Sequence, residues 1–304
     1  MKDTKRQVLP SGLWVVATPI GNLADLTPRA RVALEEADCI LCEDTRRTSV
    51  LLSALGMHSL GARLQRLDAH TPEAKIQNWV VQMQEGKRFA LVTDAGTPAI
   101  SDPGALLVAR SRAAHIQITP FPGASAVLAL LSVCGFYETA FTFRGFFPKK
   151  REEKEKEFQL VCSSQVSDIF VWFESPLRVV DTLGVLENGY PDVSVVVAKE
   201  LTKIHERTFF GSASQVSYAV QEEVLKEGAL GEWCFAVRWI RPKKSKEDLK
   251  LLEDESSVWS QALSCLLNLG ISTVDAAKEV SQEFGISKRQ VYNLALRKKN
   301  LKGG

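Results

Sequence analysis

Four short segments of the sequence combine glycine, proline, acidic and hydroxyl residues in the pattern of ligand-binding loops. Each follows a short apolar run that predicts a β-strand: TPIGNLADLT (18–27), EDTRRT (43–48), DAGTPAISDPG (94–104) and PFPGASA (120–126). Such residues let the backbone approach a ligand closely. In open parallel sheets, ligands bind beyond the carboxyl ends of the strands. We therefore expect the functional site to lie in these loops.

The segment 94–104 is the most specific of the four. Pro98 and Pro103 each remove a backbone donor, so the segment predicts a rigid wall lined by carbonyl oxygens. A wall of this kind suits an uncharged adenosine beside a sulfonium cation. The first loop lacks the GxGxxG spacing, so the dinucleotide-binding argument does not apply. Gly21 by itself is accounted for by a plain turn.

The elements that position these loops form a repeating strand–helix pattern over residues 1–121. The predicted strands are LWVVA, CILCE, RLQRLDA, FALVT and IQIT. Helices are predicted between them, the first capped by Thr27 with Pro28 in its first turn. Continuous apolar strands separated by helices are typical of a parallel sheet covered on both faces. This part is predicted to be an α/β domain.

The pattern changes over residues 122–240. FTFRGFF, DIFVWFE, VSVVVAKE, HERTFFG and EWCFAVRW are predicted strands, and several follow one another without a helix. Helices are expected near 152–162, 176–186 and 213–226. The arrangement favours a second α/β domain with a mixed sheet. This second domain would complete a cleft with the first α/β domain.

The C-terminal part divides into a charged linker, 241–257, and a small helical domain, 258–304. Its second and third helices have helix–turn–helix spacing. Val280, Phe284, Ile286, Val291 and Leu294 are predicted to be buried, with Gly285 at the turn. An ordinary three-helix bundle explains this pattern equally simply. A nucleic-acid-binding role is favoured by the basic residues of the last helix: Lys288, Arg289, Arg297, Lys298 and Lys299.

Composition restricts the class of protein. Hydrophobic residues make up 45% and charged residues 24% of the chain, which are globular values. No apolar run is long enough to span a membrane, and the polar N-terminus does not resemble a signal peptide, so we expect a cytoplasmic protein. Residues 241–304 hold 12 Lys or Arg against 8 Asp or Glu, although the whole chain has a net charge of only +2. Any nucleic-acid contact should therefore be local.

The cysteines are interpreted as structural thiols. Cys39 and Cys42 form a CxxC pair, but they lie in a predicted buried strand and no second pair offers zinc spacing. The others are scattered, mostly in apolar runs: Cys134, Cys162, Cys234 and Cys265. No metal site is predicted.

Longer segments of the chain resemble a known family. VATPIGNLADLTPRA, CEDTRRTSVLL, LVTDAGTPAISDPG and FPGASAVLALL are similar to signatures of the tetrapyrrole methylase superfamily. FTFRGFFPKK, WFESPLRVVDTL and AKELTKIHERTFFGS, with the helical C-terminus, resemble its ribosomal RNA small subunit methyltransferase I branch. The resemblance implies an enzyme that uses S-adenosylmethionine to methylate the ribose 2′-hydroxyl of a cytidine in the decoding region of 16S ribosomal RNA. It also implies a homodimer that acts on RNA, with the small ribosomal subunit as the expected partner and no membrane involved.

By this resemblance the cofactor lies folded between the two α/β domains. Loops near Glu174 and Ser175 would complete the pocket from the second domain. The first domain and the segment after it are expected to supply the other contacts: Pro19, Gly21, Asp94, Ala95, Gly96, Thr97, Pro98, Ser101, Asp102, Pro122, Gly123, Ala124 and Ser125.

A ribose hydroxyl is a poor nucleophile, so a general base or a hydrogen-bond acceptor should assist its attack. Glu43 and Asp44 follow a predicted strand and are the first candidates. Lys199 and Glu200 also stand at a strand end and are the second. Each carboxylate is explained equally well as a helix cap or an ion-pair partner, and the sequence does not rank them.

Basic residues of the strand-end loops are predicted to contact RNA phosphates, which position RNA without reading its sequence. They are Arg46, Arg47, Arg144, Lys149, Lys150, Arg151, Arg178, Lys199, Lys203 and His205. Phe143, Phe146 and Phe147 could stack on an unpaired base, although phenylalanine is more often a core residue.

Two positions depart from the family pattern. Leu177 replaces the usual histidine of WFESPLR, so Arg178 is expected to carry more of the RNA binding. Near LDAHTPE the usual asparagine is missing while His70 remains. Two other functions stay open: methylation of a tetrapyrrole, and nucleic-acid binding without catalysis. The basic segments argue against the first and the intact segment 94–104 against the second.

Overall fold

The computed structural model describes residues 9–100, 102–164, 167–239 and 258–300. Contacts within the chain divide it into two compact units, residues 1–240 and 241–304. The first unit contains two sheets, each with its own helices, which we call the first and second lobes. The predicted linker at 241–257 lies outside the described residues.

The first lobe is built on the predicted parallel sheet. Its strands are β1 (Gly12–Val16), β2 (Cys39–Cys42), β3 (Leu64–Arg66), β4 (Arg88–Leu91) and β5 (Ile118–Phe121), in the order β3-β2-β4-β1-β5. All its neighbouring pairs are parallel. Loops after the strands therefore meet at one edge. Cys39 and Cys42 are both buried within β2, as structural thiols should be.

Helices cover both faces of this sheet. They are α1 (Pro28–Glu36), α2 (Thr45–Ala54), α3 (Glu73–Gln84) and α4 (Gly104–Ala113). Thr27 caps α1 by accepting a hydrogen bond from the Ala30 amide, with Pro28 at the first position, as predicted. One buried cluster contains Trp14 and Leu34, and another contains Phe89 and Trp79. The strands are apolar on both sides because both faces are packed.

The second lobe has the predicted mixed sheet. Its strands are β6 (Phe141–Phe146), β7 (Ile169–Glu174), β8 (Ser194–Lys199), β9 (Arg207–Ser212) and β10 (Trp233–Arg238), in the order β6-β7-β10-β8-β9. Only the β6–β7 pair is parallel among the pairs of this sheet. Its helices are α5 (Ala126–Val133), α6 (Arg151–Ser163), α7 (Val179–Gly189) and α8 (Ala213–Glu227).

Phe147 belongs to the core of the second lobe. It is 2% exposed and packs against Phe158, Trp172 and Phe235, with ring centroids 4.7 to 5.5 Å away. The suggestion that it stacks on RNA is therefore wrong. Its neighbour Phe146 is 65% exposed, because consecutive side chains of an extended segment point to opposite faces.

The C-terminal unit is a three-helix bundle over its described residues. Its helices are α9 (Val258–Asn268), α10 (Thr273–Phe284) and α11 (Lys288–Asn300). Gly285 ends α10 in the left-handed conformation, with φ of 65°, which suits glycine at this position. Val280, Val291 and Leu294 are buried as predicted, and Ile286 packs against the same cluster. Phe284 was expected to be buried but is 39% exposed.

The structure describes the side chains of three basic residues of α11, Lys288, Arg289 and Lys298, and these do not all face solvent; those of Arg297 and Lys299 lie outside the described residues. Lys298 turns inward and donates hydrogen bonds to the Ser260 hydroxyl and carbonyl. Its ammonium group is therefore hydrogen-bonded within the bundle. Lys288 and Arg289 are exposed at the start of the helix.

We predict that Phe147→Ala lowers the free energy of unfolding by about 3–5 kcal/mol, since it empties part of an aromatic core. Phe146→Ala removes the same atoms from an exposed side chain and should change this free energy by less than about 1 kcal/mol. Urea denaturation of the two variants measures the difference. Equal losses would contradict the burial assigned to Phe147.

Candidate functional site

Hydrogen bonds join the strand-end loops of the first lobe into one surface. The amide and carbonyl of Thr18 pair with the carbonyl and amide of Gly96, at 2.9 and 3.1 Å. The Thr97 hydroxyl donates to the Ala124 carbonyl at 3.1 Å. The loops after β1, β4 and β5 are thus tied to one another, as expected for loops that share one edge of a parallel sheet.

The loop 94–104 is also held from within. The Asp102 carboxylate accepts hydrogen bonds from the Ala99 amide at 2.8 Å and the Gly104 amide at 2.7 Å. Ala99 has a φ of 66°, which is unfavourable for a residue with a side chain. The two bonds to Asp102 offset this cost, so its carboxylate has a structural task in the loop.

Close packing explains two of the loop glycines. Gly96 has a φ of 88°, which favours glycine. A Cβ atom on Gly123 would lie 3.0 Å from the Cβ of Ala17, so a larger residue would separate β1 from the loop after β5. These glycines shape the loops without lining the cavity described next.

A cavity of about 500 Å³ opens between the two lobes. This volume is typical of small-molecule sites, which measure about 300–1,000 Å³. The predicted residues that line it are Asp94, Ala95, Thr97, Asp102, Ser125, Glu174 and Ser175. The other predicted cofactor residues do not line it: Pro19, Gly21, Gly96, Pro98, Pro122, Gly123 and Ala124. Ser101 lies outside the described residues.

Sequence reasoning missed one side of the cavity. Residues 231–234 line it, together with Ile20, Phe146, Phe173 and Leu201. Residues 231 and 232 precede β10, and Trp233 and Cys234 are its first residues, whereas the sequence predicted site residues that follow strands. Because β10 is antiparallel to β7, Trp233 lies opposite Glu174 at the cavity edge. The signal available in the sequence was the turn GALGEW before an apolar strand.

Glu174 is the most enclosed acidic group of the wall. Its carboxylate accepts hydrogen bonds from the Arg178 guanidinium, the Thr182 hydroxyl and the Ser175 amide, each 2.6 Å long. Thr182 in turn accepts from the buried Lys154 ammonium at 2.7 Å. The network fixes the start of α7 against the cavity and occupies both oxygens of Glu174.

The four candidates for a general base have different environments. Glu43 lines the cavity. Asp44 caps α2, and hydrogen bonds from the Arg46 side chain and amide lower its pKa to about 2. Lys199 is buried beside Glu223, with 2.8 Å between Nζ and Oε1. Burial raises the pKa of Glu200, but the hydrogen bond from Lys203 and other contacts outweigh this effect and lower the pKa below its usual value. Lys199 and Glu200 do not line the cavity.

Most of the predicted RNA-binding residues already have acidic partners. Arg47 pairs with Asp94 at 3.0 Å, while Arg144 forms two 2.8 Å hydrogen bonds with Glu157. The remaining pairs are Arg46–Asp44, Lys150–Glu153, Arg151–Glu155, Arg178–Glu174 and Lys203–Glu200. Lys149 and His205 are exposed and have no acidic partner among the described residues. Leu177 and His70 are exposed as well.

The loop after β8 closes the cavity against the first lobe. The Asn22 amide donates to the Thr202 hydroxyl at 3.1 Å. A Cβ atom on Gly21 would lie 2.3 Å from Lys203 Cγ and 2.8 Å from Thr202 Oγ1. Gly21 is therefore required by contact with the second lobe and not only by a turn.

Comparison with known proteins assigns the family. The family of Tetrapyrrole (Corrin/Porphyrin) Methylases matches residues 12–217. The ribosomal RNA small subunit methyltransferase I of Neisseria meningitidis serogroup B is 35% identical over 300 residues, which cover 99% of this chain and 98% of that protein. The chain belongs to the ribosomal RNA small subunit methyltransferase I family. The Bacillus subtilis member is 32% identical, over 92% of both chains.

Solved structures support the fold of the first unit. Diphthine synthase is similar, with a TM-score of 0.55 and 15% identity, over 80% of this chain and 94% of that one. Cobalt precorrin-4 methyltransferase has a TM-score of 0.52 and 17% identity, over 77% and 98%. The predicted fold class, two α/β lobes of tetrapyrrole methylase type, is confirmed.

The chain is accordingly a methyltransferase whose methyl donor is S-adenosylmethionine. The cavity fits this donor. Its wall is mainly apolar and carries carboxylates from both lobes, and Asp94 Oδ1 is buried without a hydrogen-bond partner among the described residues. A buried acceptor of this kind calls for a donor or a positive charge, and a sulfonium nucleoside offers both.

We predict that Gly21→Ala weakens binding of S-adenosylhomocysteine by about 5- to 150-fold. The added methyl overlaps Thr202 and Lys203 in the closed cleft, and overpacking costs about 1–3 kcal/mol. Isothermal titration calorimetry measures the affinity.

Gly184→Ala is the matched control, since a Cβ there meets nothing within 4 Å. It should bind like the unmodified protein. Unchanged affinity in Gly21→Ala would show that this closure does not contribute to binding.

Proposed function

We propose that the protein transfers a methyl group from S-adenosylmethionine to the ribose 2′-hydroxyl of a cytidine in 16S ribosomal RNA. The observation that carries this is the rigid cavity between the lobes, in a chain that matches ribosomal RNA small subunit methyltransferases over almost its full length. The names of those relatives specify small-subunit ribosomal RNA.

The chain's own residues would contribute mainly position and electrostatics. When bound, S-adenosylmethionine supplies an electrophilic methyl group. The loops 94–104 and 120–126 hold a fixed surface against it, and fixed geometry lowers the barrier by removing the entropy of alignment. Ile20, Phe173 and Leu201 give part of the cavity wall an apolar surface. Asp94 and Asp102 place negative charge beside the expected sulfonium.

Exposed basic groups near the cavity support an RNA substrate. Arg46 and Arg47 are 90% and 72% exposed in their side chains although each has an acidic partner. Exposed pairs of this kind contribute little to stability, so an RNA phosphate can compete for the arginine. Lys149 and His205 add exposed basic groups on the second lobe. We propose this set as the phosphate-contacting surface.

Methylation of a tetrapyrrole is the alternative, since solved structures of similar fold include a cobalt precorrin-4 methyltransferase. At 17% identity that likeness concerns the fold alone. Activity on uroporphyrinogen in the absence of RNA would favour the alternative.

We predict that the protein, given labelled S-adenosylmethionine and small ribosomal subunits lacking the modification, produces one 2′-O-methylcytidine. Mass spectrometry of nuclease fragments locates the label. Free 16S RNA in a parallel reaction distinguishes the assembled subunit from naked RNA as substrate. Label found only on a base would refute the ribose assignment.

We predict that Lys149→Glu weakens binding to the small subunit or its RNA by about 3- to 30-fold, and lowers the slope of log affinity against log salt concentration. Lys87→Glu makes the same charge change before the amino end of β4, at the opposite edge of the first sheet, and should have little effect. Filter binding at several salt concentrations measures both. If both variants lost the same RNA affinity, the net charge of the protein and not the position of Lys149 would explain the loss.

The compartment and the assembly state remain predictions. No helix within the described ranges is long and apolar enough to cross a membrane. We propose a cytoplasmic homodimer, and light scattering coupled to size-exclusion chromatography measures the mass of the assembly directly.

A further inference from the structure

We infer that Glu43 is the general base that receives the proton of the attacking hydroxyl. The inference rests on the proposed function and assigns a catalytic residue within that site. Glu43 stands directly after β2, at the carboxyl edge of the first sheet, and lines the cavity beside Asp94 and Asp102.

Glu43 differs from the other acidic groups around the cavity in having a free carboxylate. Asp102 binds amides of its own loop, and both oxygens of Glu174 accept hydrogen bonds. Asp94 is paired with Arg47 through one oxygen. The carboxylate of Glu43 has no hydrogen bond or ion pair with any residue that the structure describes. A base must have a free lone pair to accept a proton.

Burial and neighbouring carboxylates raise the pKa of Glu43 above that of an ordinary glutamate. Partial burial raises its pKa first, and the carboxylates of Asp94 and Asp102 from the loop after β4 raise it further. Arg47 on α2 opposes this, while Asp68 in the loop after β3 adds to it. Arg47 is already paired with Asp94, so its charge is partly neutralised. An acid group whose pKa approaches the working pH accepts protons more effectively during reaction.

The proton has a complete path in this assignment. The ribose O–H bond breaks and its proton passes to a Glu43 carboxylate oxygen. A new bond forms from the ribose oxygen to the methyl carbon as the carbon–sulfur bond breaks, and that electron pair stays on sulfur in S-adenosylhomocysteine. Glu43 lines the cavity and is also open to solvent, so water can take the proton and restore the carboxylate.

The test compares Glu43→Gln with the unmodified enzyme. Glutamine keeps the size of the side chain, but its amide is not a base in neutral solution and cannot accept the proton. We expect kcat to fall by about 10²- to 10⁴-fold. Affinities for S-adenosylmethionine and S-adenosylhomocysteine should change by less than about threefold each. Glu43→Asp keeps a carboxylate and should recover part of the lost rate.

The pH profile supplies a second readout. Because the base acts when ionised, kcat/KM of the unmodified enzyme should fall as the pH drops through the pKa of Glu43. This fall, the acidic limb of the pH profile, should be absent in Glu43→Gln. Glu85→Gln, at the end of α3, makes the same chemical change outside the cavity and should retain both the rate and the limb.

Three results would overturn the assignment. The first is a kcat for Glu43→Gln within about threefold of the unmodified enzyme. The second is an acidic limb that persists in this variant. The third is a selective loss of S-adenosylmethionine affinity with S-adenosylhomocysteine affinity unchanged, which would mean that Glu43 attracts the sulfonium charge. If the unmodified enzyme methylates no RNA, the proposed function itself is wrong, and the assignment of Glu43 is lost with it.

Discussion

The site depends on backbone hydrogen bonds that join loops from different strands. The reciprocal pair between Thr18 and Gly96 holds the loop after β1 against the loop after β4. The Thr97 hydroxyl then ties the second of these to the loop after β5. Because these contacts use main-chain groups and one short side chain, they leave few rotatable bonds between the sheet and the cavity wall. These bonds therefore connect the buried sheet directly to the cavity wall.

Several acidic residues lie in or next to the cavity wall. They differ in whether their carboxylates have hydrogen-bond partners. Asp44, Asp102 and Glu174 accept hydrogen bonds that fix a helix start or a turn. These hydrogen bonds give the three carboxylates a structural role. The carboxylate of Glu43, in the same cavity wall, has no hydrogen bond or ion pair with any residue that the structure describes. Burial raises the pKa of Glu43, and the carboxylates of Asp94 and Asp102 raise it further, so the acidic groups of the cavity wall affect how strongly Glu43 binds a proton.

The second lobe completes the cavity by two routes. The loop after β8 contacts Gly21 and Asn22 directly, which limits how far the cleft can open. The antiparallel pairing of β10 with β7 brings Trp233 beside Glu174, so a strand start and a strand end form one wall. A purely parallel sheet could not do this, because all its strand starts lie at the opposite edge.

The sequence by itself determined the strands and helices of the first lobe, the cap at Thr27 and the loops that carry the site. These features depend on local periodicity and on residue types that favour particular turns. Only the tertiary structure decided which charged groups are free, because the partner of Arg47 lies far along the chain at Asp94. It also decided that Phe147 and not Phe146 faces the core, since the register between β6 and β7 shifts between Phe143 and Phe146 and this shift sets which of the two faces inward. Long-range pairing and sheet register are set by contacts between distant segments, and no local pattern encodes them.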